Sequence, residues 1–177
     1  TNRSLLSIIC PVYNEDLNIP LFYQQVTEVI YSLDAYDFEI IFTNNCSTDG
    51  THDMIVDLHK RDPRVKLLTL SRNFGYQGSV LCGLAHARGE ASIVIDVDCE
   101  DPPEMLASFV KYWEIGYDVV FGIRNKRPES QVVQLMRHIF YWLLQKMGDN
   151  DVVMHMAEFA LISKRVREAI TKNSSTF

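Results

Sequence analysis

The sequence predicts an α/β protein: a mostly parallel sheet with helices on both faces. Three observations carry that expectation. Short apolar runs rich in β-branched residues alternate along the chain with segments of helical periodicity. The connections between them are short, which suits strand–helix–strand crossovers. Each apolar run is followed by a polar loop rich in Asn, Asp or Gly. The 177 residues are enough for one domain with a real core, and 47% hydrophobic with 23% charged residues is ordinary globular composition.

Leu5 to Cys10 is an apolar run stopped by Pro11 and reads as the first buried strand, with Val12-Tyr13-Asn14-Glu15 as its exit loop. A helix is expected from Ile19 or Pro20 to Leu33, with Leu21, Phe22, Val26, Val29, Ile30 and Leu33 at helical spacing. Phe38 to Thr43 is a second strand, leaving through Asn44-Asn45-Cys46-Ser47-Thr48-Asp49-Gly50. A helix from Thr51 to Lys60 turns Met54, Ile55 and Leu58 inward. Val65 to Leu70 is a third strand, and Arg72 to Gly78 its exit loop. A small-residue helix is expected from Ser79 to Ala87, closed by Arg88-Gly89.

Ala91 to Ile95 is the fourth strand. It runs into Asp96, Asp98 and Glu100, acids at alternate positions, so on extended backbone their carboxylates would share one side and converge on a cation. Asp101 before Pro102 and Pro103 reads as a helix cap, and the next helix is expected from Glu104 to Trp113, ending at Gly116. Val119 to Phe121 is a fifth strand. Ile123 to Glu129 is a basic loop in an acidic chain, and Ser130 to Met147 an apolar-faced helix carrying Phe140, Tyr141 and Trp142, a candidate for core, subunit or membrane contact. Phe159 to Ile162 and Lys164 to Lys172 complete the expected elements as a strand and a helix.

A formal net charge of −6 argues against a nucleic-acid groove but admits an anionic small substrate if a metal supplies positive charge. The four cysteines show no CxxC pair and the five histidines share no ligand spacing, which favours reduced thiols in a cytoplasmic protein over a zinc site. Thr1 to Ser4 leads straight into a strand without a leader-like run, and no stretch is apolar enough to span a bilayer. Oxygen ligands alone favour Mg²⁺ or Mn²⁺. In a parallel α/β sheet ligands sit outside the carboxyl ends of the strands, where the loops Pro11 to Glu15, Asn44 to Asp49, Arg72 to Gly78 and Asp96 to Asp101 all fall.

Four segments taken in order, Pro11-Val12-Tyr13-Asn14-Glu15, Ser47-Thr48-Asp49-Gly50-Thr51, Ser71-Arg72-Asn73-Phe74-Gly75 and Asp96 to Glu104, strongly resemble family 2 glycosyltransferases. The likeness is greatest to the polyprenyl-phosphate branch of dolichyl-phosphate mannose synthases and bactoprenol glucosyltransferases, and it covers Leu5 to Arg167. It implies a GT-A fold and a single catalytic domain over 1–177, with 1–122 as the nucleotide-sugar-binding half and 123–177 as the acceptor-side half. It implies an inverting transfer from a UDP- or GDP-sugar, with Mg²⁺ or Mn²⁺, to an acceptor such as a polyprenyl phosphate in cell-envelope glycan synthesis. Peripheral contact with the inner face of the membrane and a homo-oligomer fit the same picture. Pro11, Tyr13 and Glu15 match residues that hold the base and ribose, and Asn45 matches a base-contacting position that is normally aspartate. Asp98 matches the metal ligand and Asp96 its partner beside the sugar or ribose, while Glu100 would add a metal ligand. Arg124 and Arg127 match basic residues that meet diphosphate or acceptor phosphate, and Glu158 an acid that orients or activates the acceptor.

Two departures stand out. The relatives' Asp-Asp-Gly-Ser after strand two is here Asn44-Asn45-Cys46-Ser47, and the transmembrane segments that follow the domain in that branch are absent. The departures leave two alternatives: a relative that binds a nucleotide sugar or a partner without turnover, and transfer to a saccharide hydroxyl, for which Glu158 would be general base. A sugar-phosphate nucleotidylyltransferase would need a glycine-rich, Arg-Leu-containing first loop, which Pro11 to Glu15 is not.

Overall fold

Strand β1 (Ser4–Val12) lies inside the sheet, and every residue from Leu6 to Val12 is buried. A strand so apolar has no face to give to water, so it must lie inside a sheet covered on both sides. In the computed structural model, which describes residues 3–123 and 156–174, it does. β2 (Tyr36–Asn44) flanks β1 in parallel with Ile8 opposite Ile40 and Ile9 opposite Ile41. β4 (Ala91–Val94) flanks it on the other side, also parallel, with Ile8 opposite Ile93. β3 (Val65–Thr69) adds to β2 in parallel. β6 (Met156–Ser163) pairs antiparallel with β4, Leu161 opposite Ile93, and the six-stranded order is β3-β2-β1-β4-β6-β5, with β5 spanning Val119–Ile123.

The helices among the described residues fall on two faces. α1 (Ile19–Ser32) sets Phe22 edge-on to Phe42 at 6.2 Å, and α4 (Met105–Glu114) sets Phe109 against Phe159 at 4.6 Å. Phe42 and Phe159 alternate with residues of the opposite face, where α3 (Gly75–His86) packs Leu84 on Ile9 and Val94, and α5 (Lys164–Ser174) adds Val166. α2 (Thr51–Arg61) links β2 to β3. None of these helices is long and apolar enough to cross a membrane.

The chain divides into two compact units, Thr1–Val120 with Glu158–Phe177, and Phe121–Ala157. The first contains the pocket described below. The expected helix from Ser130 to Met147 and the basic loop with Arg124 and Arg127 lie outside the described residues.

Three local expectations need correction. α3 starts at Gly75 rather than Ser79, because Gly75 takes φ +78° and lets the helix begin four residues sooner. The fourth strand ends at Val94, and the chain then turns at Val97 and Asp98 with Cys99 left-handed at φ +59°. The alternation that would have aligned Asp96, Asp98 and Glu100 is therefore broken by the turn. Asp101 is not the cap of α4: it is buried, and Glu104 holds the cap position without a side-chain bond. The entry to α4 is instead closed by backbone, Met105 N–H to Pro102 O (3.1 Å) and Leu106 N–H to Pro103 O (2.9 Å).

Candidate active site

The carboxyl ends of β1, β2 and β4 splay apart into three loops, and α3 brings its first turns up beside them. A pocket of about 350 Å³ opens there, lined by Pro11, Val12, Tyr13, Glu15, Asn45, Asn73, Gly75, Tyr76, Ser79, Asp96, Val97 and Asp98. Six residues singled out from the sequence, Pro11, Tyr13, Glu15, Asn45, Asp96 and Asp98, thus line one pocket. Glu100 is exposed and does not line it, and the Glu158 backbone lies in β6. Asn73, Gly75 and Tyr76 belong to the Arg72–Gly78 loop expected at this edge, whereas Ser79, expected as the start of the helix, was missed as a pocket residue. The signal was available: a glycine at the exit of a strand followed by small residues lets a helix N-terminus approach a ligand.

The first two loops are stapled together by reciprocal bonds. Asn14 N–H donates to Ser47 Oγ (3.0 Å) while Thr48 N–H donates to Asn14 Oδ1 (2.8 Å). Glu15 N–H donates to Thr51 Oγ1 (2.8 Å), and Gly50 N–H to Asp16 Oδ2 (3.2 Å). Burial alone would raise the Asp49 carboxyl, but hydrogen bonds from Thr51 and from the Asp16 N–H hold it below its ordinary value. Asn14, Cys46 and Cys99, one in each loop, all take left-handed backbone. Such conformations cost roughly 1 kcal/mol or more in a non-glycine residue. They gather where three strands must turn sharply to leave a common edge.

Asn44 and Asn45 are both buried and both committed to loop structure. Asn44 Oδ1 accepts from Ser47 N–H (2.9 Å). Asn45 N–H continues the sheet by donating to Val12 O (2.9 Å), and its side chain reaches across to the loop that leaves β3. There Asn45 Nδ2 donates to Asn73 Oδ1 (2.9 Å) and Phe74 N–H donates to Asn45 Oδ1 (2.8 Å). Arg72 stacks over the Phe74 ring at 4.2 Å, outside the lining.

The electrostatics of the pocket are one-sided. Glu15, Asp96 and Asp98 line it, and no lysine, arginine or histidine does among the described residues. Burial pushes the Cys99 thiol up, and Asp98 and Glu15 push it further; burial likewise raises Cys10 well above its usual range, with Asp96 adding to the effect. Among the described residues of the lining, the amino end of α3, a weak positive pole, offsets these charges. Among the described residues no three carboxylates, thiols or imidazoles form a cage for a cation. The donors are instead one or two carboxylates on an open wall, an arrangement that fits a hard cation completed by water and ligand phosphates rather than an all-protein site.

The sequence pattern of Glycosyl transferase family 2 matches residues 7–171. The chain is 37% identical over 172 residues to the putative glycosyltransferase CsbB of Bacillus subtilis, covering 97% of this chain and 52% of that one. It is 36% identical over 166 residues to a prophage bactoprenol glucosyl transferase homolog of Escherichia coli, covering 93% and 54%. It spans about half the length of these curated relatives. Among solved structures, the mannosyltransferase PcManGT from Pyrobaculum calidifontis, in complex with GDP-Man and Mn²⁺, superposes with a TM-score of 0.65 at 23% identity, covering 96% of this chain and 47% of that one. Glucosyl-3-phosphoglycerate synthase from Mycobacterium tuberculosis, in complex with UDP, gives 0.63 at 20% identity, covering 93% and 57%. At these identities the likeness to the solved structures is one of fold.

Proposed function

The chain belongs to glycosyl transferase family 2, and from that premise we propose that it transfers a sugar from a nucleoside-diphosphate sugar to a phosphate acceptor, with inversion and with a divalent cation. The observation that carries this reading is the pocket at the carboxyl edge of β1, β2 and β4, where acidic side chains line a wall and no basic one does among the described residues. A diphosphate does not settle among carboxylates unless a cation lies between them. Asp98 holds that cation and Asp96 lies beside the sugar or ribose, while Pro11, Tyr13 and Glu15 wall the nucleoside. When bound, Mg²⁺ or Mn²⁺ would neutralise the charge that grows on the diphosphate as the glycosidic bond breaks. Arg124 and Arg127 serve diphosphate or acceptor phosphate, and Glu158 orients the acceptor.

A phosphate acceptor is already a nucleophile and needs no strong base. The relatives named bactoprenol glucosyl transferases support a polyprenyl phosphate in that role, and such a lipid acceptor would bring the protein to the inner face of a membrane. Calorimetry with UDP and GDP, with and without Mn²⁺, tests the donor side. Mn²⁺-dependent binding is expected, lost in a folded Asp98→Ala variant together with roughly 10²–10³-fold of turnover. Failure of every nucleotide to bind the wild-type protein would reject the reading. On the acceptor side, label from a radioactive sugar donor should move into organic solvent with undecaprenyl phosphate. Transfer to soluble saccharides alone would reject the lipid acceptor.

A further inference from the structure

Asn14 stands between two pocket residues and is not one itself. Tyr13 and Glu15 line the pocket, whereas Asn14 is exposed, sits at φ +57° and bonds to the loop that leaves β2. Asparagine takes left-handed backbone more readily than most residues, because its short polar side chain can bond nearby. Asn14 Oδ1 accepts from Thr48 N–H (2.8 Å) and from Thr48 Oγ1 (3.4 Å), and Asn14 N–H donates to Ser47 Oγ (3.0 Å). One residue thus grips the neighbouring loop with both its backbone and its side chain. Tyr13 has no comparable tie. Its side chain is 46% exposed, and among the described residues no hydrogen bond or ring contact holds it. Glu15 differs: its N–H is held by Thr51 Oγ1 (2.8 Å), and its carboxylate accepts from Asn18 Nδ2 (2.7 Å). The direction of Tyr13 is therefore left to the backbone on either side of it, Val12 in the sheet and Asn14 in the loop.

We propose that Asn14 is a positioning residue for nucleotide binding: by tying the loop after β1 to the loop after β2, it sets the Tyr13 ring at the pocket without touching the ligand. The inference rests on the reading of the pocket as a nucleotide site, and it assigns affinity to a residue outside the lining. A ring that must be ordered when the ligand arrives binds more weakly than one already in place. Loss of the bonds to Asn14 Oδ1 is worth about tenfold in affinity.

Calorimetry in Mn²⁺ gives the test, with UDP or GDP, whichever the wild type binds more tightly. Asn14→Gly keeps the left-handed backbone and deletes Oδ1, and it should raise Kd about tenfold. Asn14→Asp keeps an oxygen for Thr48 and should return Kd to within about threefold of wild type, the added exposed charge being screened at about 0.15 M salt. Action through Tyr13 leaves its own mark: in a Tyr13→Ala background, adding Asn14→Gly should raise Kd by no more than about twofold. If Asn14→Gly does not fold, Ser47→Ala, which removes the acceptor of Asn14 N–H, should raise Kd about threefold, and only where Tyr13 is present. An unchanged Kd in folded Asn14→Gly, or in Ser47→Ala where that variant stands in for it, overturns the inference. So does a loss that persists undiminished without Tyr13, the sign of general loosening, or one that Asn14→Asp does not repair. In each of those cases the wild type still binds nucleotide, so the functional reading survives; if it binds neither UDP nor GDP, both fall.

Discussion

Cys46 stands at φ +62° on the exposed side of the second loop, where the resemblance implies glycine in the relatives. Glycine adopts that conformation without the clash of a Cβ with its own carbonyl. Cys46→Gly is therefore expected to stabilise the folded state, by about 0.5–1 kcal/mol after the entropy gained by the unfolded chain is set against the relief. Cys46→Val, with a branched Cβ, should destabilise by about 1–2 kcal/mol. Thermal unfolding of the two variants reads both signs, and a lower Tm for the glycine variant would contradict the account. The neighbouring departures, Asn44 and Asn45, could not be interpreted from sequence because an amide's use depends on which loops it reaches. The structure shows Asn44 closing its own loop and Asn45 tying that loop to the one after β3.

At the scale of the element, α3 explains how a helix end comes so near the pocket. It comes closest to the sheet at Gly83: a Cβ there would lie 2.4 Å from Ile9 Cγ2 and 3.0 Å from Thr43 Oγ1, both on fully buried residues. In an exposed helix Gly→Ala would help by about 1 kcal/mol, but here overpacking dominates. Gly83→Ala should cost about 1–3 kcal/mol in denaturant unfolding and weaken nucleotide binding as α3 shifts outward; unchanged stability would show that the helix can yield freely. Most elements were legible in the sequence, because buried parallel strands and amphipathic helices carry strong periodic signals, as Leu5 to Cys10 and Ile19 to Leu33 do. What escaped was local: the left-handed Gly75 that starts α3 early, and the turn at Val97–Asp98 that cancels strand alternation. The antiparallel insertion of β6 between β4 and β5 has no sequence signature at all, since period-2 patterning does not encode direction. The pocket wall was legible through Pro11, Tyr13, Glu15, Asn45, Asp96 and Asp98 because strand ends predict loop position. On its α3 side the loop Arg72–Gly78 was legible but Ser79 was not, because the helix start was misplaced.

At the scale of the whole molecule, a buried polar knot ties the sheet together away from the pocket. Glu39 on β2 accepts from Ser7 Oγ of β1 (2.6 Å) and from Arg88 N–H (2.7 Å), and pairs with Lys66 of β3. Ser7 Oγ accepts in turn from Gly89 N–H (2.9 Å), while Arg167 of α5 donates to Gly89 O (2.7 Å) and Ser92 Oγ (3.0 Å). Burial alone would raise the Glu39 carboxyl, but the bonds from Lys66, Ser7 and Arg88 outweigh it and hold it below its ordinary value. A carboxyl lowered on folding stabilises the fold above its unfolded value, about 4.3, and loses that contribution as pH falls through the folded value. Glu39→Gln should thus cost about 1–3 kcal/mol at pH 7 and flatten the acid side of the stability curve. Equal losses at pH 7 and pH 3 would remove Glu39 from the acid response.

The strand order also has a consequence in time. β6 is the last of the described strands yet lies fifth of six in the sheet, between β4 and β5. A chain made from its amino end can zip β1, β2, β3 and β4 as each appears, but β5 emerges before the neighbour that joins it to the rest. Until Met156–Ser163 has been synthesised, the open side of β4 carries unpaired backbone groups that another nascent chain could capture. The ribosome thus sets a waiting period during which the sheet cannot close, and the protein's exposure to misassembly is greatest then.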